Sequence, residues 1–94
     1  MGMKVKVRLW GIFQELAGGG RELSVDMPER ATVGNLIGQL ISRHGKRFEE
    51  GLFEPGTKEV KPYIKLLLNG NGTTLKAKLR DGDVVAIFPP VGGG

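Results

Sequence analysis

Cysteine is absent from this 94-residue chain, and histidine occurs only once. Without cysteine the chain forms no disulfide and offers no thiolate metal ligand or cysteine nucleophile, and one histidine excludes a multi-histidine metal site. The longest apolar runs, such as Val84–Phe88, fall far short of the roughly 18 residues that a membrane-spanning helix needs. No basic and apolar leader opens the sequence, so we expect a cytoplasmic protein without a membrane partner.

Recognisable catalytic motifs are also missing. No G-x-x-x-x-G-K-[ST] phosphate loop occurs, and the run Gly18-Gly19-Gly20 lacks the third glycine of G-x-G-x-x-G, which makes it a hairpin tip. His44 is expected at a helix end, where capping and surface roles are commoner than catalysis. Asp81-Gly82-Asp83 is typical of a turn rather than of a metal site. We therefore predict no catalytic and no metal-binding residues.

The charge balance is mildly basic, with 14 Lys and Arg against 10 Asp and Glu, a net charge of +4. Basic residues gather in the second half of the chain: Lys58, Lys61, Lys65, Lys76, Lys78 and Arg80. Nucleic-acid modules usually combine such charge with exposed aromatic residues, and only Tyr63 lies near this run. Nucleic acid is therefore not the expected partner, whereas a phosphorylated ligand or an acidic protein remains open.

Two segments alternate strictly between apolar and polar side chains, residues 4–9 and residues 22–27. This period-two pattern predicts two half-buried strands. If the strands pair antiparallel, basic side chains face acidic ones: Lys4, Lys6 and Arg8 opposite Glu22 and Asp26. The connection between them should contain one turn, anchored by Phe13 and Leu16, and then the flexible tip of three glycines.

One clear helix is predicted from Val33 to His44, because apolar residues recur there at the i, i+3, i+4, i+7, i+8 spacing. Thr32 is the expected N-cap, and Gly45 is the expected left-handed residue after the last turn. Residues 46–62 show no period and predict a long loop. An apolar patch should hold this loop to the core: Phe48, Leu52 and Phe53.

The remaining segments predict three more strands. Asn69-Gly70-Asn71-Gly72 is the strongest hairpin signal in the chain. It should join a strand at 64–68 to a short return strand at 73–75. A turn at 81–83 then leads into a central strand at 84–88, which inserts most easily beside the first strand and parallel to it.

The element order of strand, strand, helix, strand, short strand, strand predicts an α+β protein with the β-grasp, or ubiquitin-like, fold. This fold is a mixed sheet crossed by one main helix. The chain length allows one domain, residues 1–94. We expect a globular body over residues 1–88 and a flexible, extended functional tail over residues 89–94.

The C-terminus is unusual because two prolines precede three glycines that end at the free carboxylate. The prolines stiffen the exit from the sheet, and glycines without a Cβ atom can thread a narrow channel. Six extended residues reach about 20 Å, far enough to place Gly94 inside another protein. Glycine-rich ends are often merely frayed, but the stiff base favours a functional tail.

Three segments resemble the family of MoaD, the small subunit of molybdopterin synthase. Residues 88–94 match its F-P-P-V-x-G-G ending, residues 7–18 are similar to its first strand and F-x-E-L-x-G turn, and residues 79–86 resemble its L-x-D-G-D-x-V-A segment. The resemblance covers nearly the whole chain. The bare Gly-Gly end is shared with the wider ubiquitin-like group, including ThiS, while the basic balance and the loop at 50–62 depart from the family.

The resemblance implies a sulfur carrier that is not itself an enzyme and binds no cofactor tightly. Gly94 would be adenylated by an ATP-dependent, E1-like (MoeB-like) enzyme and converted from the glycyl adenylate to a thiocarboxylate, 1-thioglycine. Its sulfur would enter the dithiolene of molybdopterin, in molybdenum cofactor biosynthesis. The catalytic residues would lie on a MoaE-like large subunit, in a heterotetramer of two small and two large subunits. Gly92 and Gly93 would thread the tail into these partners.

Docking needs a surface besides the tail. Trp10 falls on the outward side of its strand, so we hypothesise an apolar patch that binds the activating enzyme and the large subunit in turn: Trp10, Phe88, Pro89, Pro90 and Val91. The competing interpretation places Trp10 and Phe88 in the core.

Other functions fit the same tail. A ubiquitin-like, SAMP-like modifier would form isopeptide bonds through Gly94, and a sulfur carrier for thiamine or tRNA thiolation would share the Gly-Gly end. A plain binding domain with an idle tail is the third alternative. Pro89 and Pro90 favour the molybdopterin branch.

Overall fold

The computed structural model describes residues 2–89, which form five strands and three helices. Their bounds are β1 (Gly2–Leu9), α1 (Ile12–Leu16), β2 (Glu22–Pro28), α2 (Val33–His44), α3 (Lys46–Leu52), β3 (Lys65–Leu68), β4 (Asn71–Gly72) and β5 (Val84–Phe88). The strands make one sheet in the order β2-β1-β5-β3-β4, with β1 and β5 parallel and the other pairs antiparallel. This topology confirms the predicted β-grasp fold, including the last strand beside the first.

Strands β1 and β2 pair in the predicted register. Alternate β1 residues are buried: Met3, Val5, Val7 and Leu9. On the other face, Lys4 Nζ lies 3.9 Å from an Asp26 carboxylate oxygen, and Arg8 Nε donates to Glu22 at 3.0 Å. Exposed ion pairs such as these contribute little stability. The ion pairs do favour this register, because opposite charges face each other in it. Burial favours it as well, since a slip by one residue would turn the apolar side chains toward solvent.

Helix α2 has the predicted bounds, and both of its ends are defined by specific residues. The Thr32 hydroxyl accepts the Asn35 N–H at 3.1 Å, and the Asn35 side-chain oxygen accepts the Thr32 N–H at 2.9 Å. This reciprocal capping box satisfies two N–H groups that the first turn leaves free. Gly45 follows the last turn with φ of 93°, the positive value expected for it. The apolar stripe of α2 is buried in the core: Val33, Leu36, Ile37 and Leu40.

The predicted loop at residues 46–62 is wrong in its first part, where the chain forms helix α3. Only one apolar i, i+4 pair, Phe48 and Leu52, marks this helix, and Gly51 interrupts it, so the sequence shows no sustained period. Tertiary contact supplies what local propensity lacks, since the Phe48 ring lies 5.5 Å from that of Phe13. The three residues predicted to anchor this segment are all buried.

Two smaller elements also differ from the prediction. The anchored turn after β1 closes as the short helix α1, around a fully buried Phe13. The return strand is at Asn71–Gly72 and not at residues 73–75. The reason is that Asn69 and Gly70, with φ of 51° and 86°, are the two residues of the tight turn, so pairing resumes immediately after them.

The predicted turn at residues 81–83 is confirmed and ties three elements together. Asp83 accepts the Arg80 N–H at 2.8 Å and the Asn69 side-chain amide at 2.9 Å. Asp81 accepts the Lys4 N–H at 2.8 Å. These bonds fix the start of β5 against both β1 and the β3–β4 hairpin. Among the helices of residues 2–89, none has the length and apolar character needed to cross a membrane.

Candidate docking site where the tail leaves the sheet

The open face of the sheet, opposite the helices, carries a shallow apolar depression. Residues opposite one another in the β1–β5 and β3–β5 ladders share this face: Arg8 pairs with Ala86, and Ala86 pairs with Leu67. Together with Val84, Phe88 and neighbouring residues they line a depression of about 440 Å³. An open apolar surface of this kind is typical of a protein interaction site.

Trp10 and Phe88 form one end of this depression. Their rings stack with centroids 4.1 Å apart and an angle of 17° between the planes. The Trp10 side chain is 39% exposed, and Phe88 is partly buried. Trp10 therefore lies on the surface, as the patch hypothesis requires and the core interpretation does not, and it covers one face of the Phe88 ring.

Pro89 is the last residue that the structure describes, and it lies against Gly11. A Cβ atom placed on Gly11 would be 2.9 Å from Pro89 Cγ. The predicted docking residues Trp10, Phe88 and Pro89 are thus neighbours at one end of the sheet. The other predicted site residues lie outside the described part of the chain: Pro90, Val91, Gly92, Gly93 and Gly94.

Basic side chains border the apolar surface. Arg8 and Lys6 follow it along β1, and Lys65 stands opposite Phe88 in the β3–β5 ladder. Arg8 and Lys6 both approach Glu22, at 3.0 and 3.8 Å. Lys65 is exposed and forms no ion pair with the described residues. The border therefore suits a partner with acidic groups around an apolar contact.

His44 has the structural position that the sequence favoured, at the end of α2. Its ring centroid lies 5.9 Å from that of Phe48, and its Nε2 atom is buried with no hydrogen-bond partner among residues 2–89. Burial, together with the neighbouring Arg43 charge, lowers the pKa of His44. Over residues 2–89, no three His, Cys, Asp or Glu side chains are grouped as metal ligands would be.

Sequence reasoning missed part of this surface. Residues 84–88 read as one continuous apolar run, so their alternation between core and open face was hidden. The structure buries Val85 and Ile87 completely while Val84 and Phe88 remain partly exposed. The contact of Gly11 with Pro89 was also missed, because no short-range pattern links residues that are brought together only by the parallel β1–β5 pairing.

Comparison with known proteins identifies the family. Residues 7–94 match the model of the ThiS family, and the chain belongs to it. A crystal structure of SAMP1 from Haloferax volcanii superposes with a TM-score of 0.85 at 33% identity, covering 97% of this chain and 99% of that one. Small archaeal modifier protein 3 of the same organism is 31% identical over 98% of this chain and 100% of its own length.

A third relative points to the other branch of the family. The molybdopterin synthase sulfur carrier subunit of Arabidopsis thaliana is 29% identical over 98% of this chain and 84% of its own length. These matches confirm the resemblance at the level of a MoaD/ThiS-type, ubiquitin-like sulfur carrier. The relatives include both modifiers and a synthase subunit, so family membership alone does not choose between the two roles.

Proposed function

We propose that this chain is the sulfur-carrying small subunit of a molybdopterin synthase, with its terminal carboxylate as the reacting group. The observation that supports this best is the position of the apolar site. The stacked Trp10 and Phe88 lie immediately beside Pro89, where the chain leaves the sheet. A partner that binds this surface would have the entire C-terminal segment within reach of its active site.

The chemistry needs no catalytic residue on this chain. A terminal carboxylate with a pKa of about 3.3–3.7 is ionised at neutral pH and is a poor acyl donor. In the proposed sequence a Gly94 carboxylate oxygen attacks the α-phosphorus of ATP, pyrophosphate leaves, and an acyl adenylate forms. Sulfide then attacks the acyl carbon and AMP leaves, which produces the thiocarboxylate. A persulfide in its place would form an acyl disulfide, from which a second thiol releases the thiocarboxylate while that thiol and the donor sulfur join in a disulfide. ATP is bound and used by the activating enzyme, and the carrier itself holds no cofactor tightly.

Two partners would use the docking site in succession, an E1-like, MoeB-like adenylating enzyme and a MoaE-like large subunit. Successive use of one surface would explain why Trp10, within the described residues 2–89, is left exposed on the sheet surface. The large subunit would supply the catalytic groups for sulfur transfer, in a heterotetramer of two small and two large subunits. Because both ATP and the activating enzyme are required, we expect the chain to work in the cytoplasm.

The intact mass of the chain tests the carrier function. After incubation with ATP, a matching activating enzyme and sulfide, we expect a mass increase equal to the replacement of one oxygen by sulfur. Omission of ATP is the control and should leave the mass unchanged. An unchanged mass in the complete reaction, with the body still folded, would contradict the proposal.

The second candidate function is protein modification, favoured by the similarity to two small archaeal modifier proteins. The same activated Gly94 would then acylate target lysines and form isopeptide bonds. Immunoblots of host lysate separate the two roles. A single free band, together with restored molybdopterin synthesis in a deletion strain, supports the carrier; a ladder of high-mass conjugates without that restoration supports the modifier.

A further inference from the structure

Two independent features of the structure favour glycine at position 11, next to the last described residue, Pro89. Its φ is 57°, a value that residues with a side chain rarely adopt. A Cβ atom placed on it would also lie 2.9 Å from Pro89 Cγ, well inside the 3.5–4.0 Å at which carbon atoms pack. The turn explains the first feature. Only the position of the Pro89 ring explains the second.

The backbone of Gly11 is held firmly to the core. Its carbonyl oxygen accepts the N–H groups of Gln14 at 3.1 Å and Glu15 at 3.3 Å, in the first turn of α1. That helix is anchored by Phe13, which is fully buried. Pro89 therefore lies against a fixed piece of backbone, which we call the Gly11 seat: the Gly11 backbone, held in place by the first turn of α1.

The seat continues the register of the sheet. The parallel β1–β5 ladder ends with Leu9 opposite Ile87. The next two residues of each strand remain in step, with Trp10 stacked on Phe88 and then Gly11 in contact with Pro89. Three successive pairs thus align the end of β5 with one strand, so the chain direction at Pro89 is determined by β1 and α1.

We propose that Gly11 is a positioning residue for the reaction of the C-terminal segment. Its bare backbone seats the Pro89 ring and so sets the direction of the chain at Pro89, from which the C-terminal segment continues. This inference rests on the proposed function, in which that segment must enter a partner's active site while Trp10 and Phe88 are docked. A side chain at position 11 displaces the ring, and the rigid φ of proline carries that displacement into the residues that follow.

A substitution at Gly11 should weaken productive binding of the C-terminal segment to the partner and leave the rate of the chemical step unchanged. A tethered group reacts in proportion to its local concentration at the site, which depends on where the tether begins and points. Once Gly94 is bound in the active site, the reacting atoms are the same in every variant. A misdirected segment should therefore raise KM for activation and leave kcat nearly unchanged.

A purely structural role for Gly11 predicts a different result, and Gly18 separates the two. Gly18 also has a positive φ, 84°, and lies in the same β1–β2 connection, but a Cβ atom there would meet no atom of the described residues within 4 Å. Gly11→Ala and Gly18→Ala therefore both introduce backbone strain. Only Gly11→Ala also disturbs the Pro89 ring.

The assay is ATP–pyrophosphate exchange with a matching activating enzyme, which reports formation of the acyl adenylate. We expect Gly11→Ala to lower kcat/KM about tenfold, mainly through KM, and Gly18→Ala to stay within about twofold of the unmodified chain. Pro89→Ala, which leaves Gly11 intact, should also lose about tenfold. The double variant Gly11→Ala/Pro89→Ala should lose no more than Pro89→Ala alone, because both changes abolish one contact.

Each outcome has a distinct meaning. If the unmodified chain supports exchange but Gly11→Ala and Gly18→Ala have equal kinetics, the role of the Gly11 seat is refuted and the proposed function stands. The same holds if the losses of Gly11→Ala and Pro89→Ala multiply in the double variant. Absence of exchange by the unmodified chain overturns the proposed function, and the role of the seat with it. If Gly11→Ala does not fold, as judged from its thermal midpoint, Pro89→Ala decides: unchanged kcat/KM in that variant overturns the seat.

Discussion

Trp10 and Phe88 stack with their ring centroids 4.1 Å apart, although 78 positions of sequence separate them. Their contact follows from the parallel pairing of β1 with β5, which ends one residue earlier, at Leu9 and Ile87. A partner that binds this aromatic pair therefore also contacts the exit of the C-terminal segment. In the proposed function, partner binding and delivery of the C-terminal segment would therefore be coupled through one small area of surface.

Replacement of Trp10 by Ala should weaken partner binding far more than it weakens folding. An exposed aromatic residue at the centre of an interface typically contributes 2 kcal/mol or more to affinity, so we expect roughly a 30-fold increase in Kd for the activating enzyme. Because the side chain is 39% exposed but stacks on Phe88, the free energy of unfolding should fall by about 1 kcal/mol, mainly through the lost stacking. Calorimetric titration and thermal unfolding measure the two effects.

Tyr63→Ala is the matched control for this change. Tyr63 is the other strongly exposed large aromatic residue of the described chain, at 55%, and it does not line the depression beside Trp10. Its loss should leave affinity within about twofold. A Trp10 variant that loses stability but keeps its affinity would return Trp10 to the core and remove it from the docking site.

Deletion of Gly93 and Gly94, or addition of a bulky residue after Gly94, should abolish thiocarboxylate formation. The reacting carbonyl would be absent in the first case and too far along a wider chain in the second. Both variants retain the whole described body, so the thermal midpoint should stay unchanged. Molybdopterin synthesis in a complemented deletion strain provides the measurement, and normal synthesis with either variant would refute the carrier function.

Two glycines within α2 should respond in opposite directions to alanine. Gly38 is exposed and a Cβ atom there meets no atom of residues 2–89 within 4 Å, so Gly38→Ala should raise the free energy of unfolding by about 0.5–1 kcal/mol. Gly34 donates its N–H to the Leu75 carbonyl at 2.8 Å, and its Cβ atom would lie 3.1 Å from that oxygen. Gly34→Ala should therefore lower stability.

Urea unfolding of both variants compares an open helical site with a close approach on the same element. If Gly34→Ala proves as stabilising as Gly38→Ala, the segment around Leu75 moves away easily, and the close approach of Gly34 to Leu75 does not contribute to the free energy of unfolding.

Stability should fall at acid pH through His44. Burial, and secondarily the Arg43 charge, lowers the pKa of this imidazole below its usual value of about 6.5. Between the lowered folded value and 6.5 the unfolded chain binds more protons, so the free energy of unfolding rises with pH in that window and levels off above it. Urea titrations at several pH values measure the slope.

His44→Gln removes this titration and should flatten the slope below pH 6.5, leaving the contribution of the carboxylates. Equal slopes for the variant and the unmodified chain would show that His44 is as accessible to protons when folded as when unfolded.

Local patterns predicted most of the fold. Residues close in sequence are enough to predict the alternation of β1 and β2, the N-cap of α2 and the glycine turn after β3. The structure confirms all three. Helix α3 is different, because it depends on the contact of Phe48 with Phe13, which lie 35 positions apart. Seven residues with one apolar pair give too little periodicity to be recognised without that contact.

In the candidate site, too, features set by neighbouring residues could be predicted, and features set by contacts distant in sequence could not. Trp10 could be assigned to the surface from the alternation of its own strand. Gly11 could not be linked to Pro89, since the connection passes through the whole sheet. Likewise, the open-face residues of β5 are hidden in an apolar run that only the structure separates into two sides.

The parallel alignment of the first and last strands also determines how the protein can be handled. Since β1 and β5 run in the same direction, Gly2 and Pro89 lie at opposite ends of these strands. Seven residue steps of β1 separate the two ends by about 23 Å. An affinity tag or reporter fused before Gly2 should therefore leave the reactive terminus unobstructed, whereas the same fusion after Gly94 would destroy it.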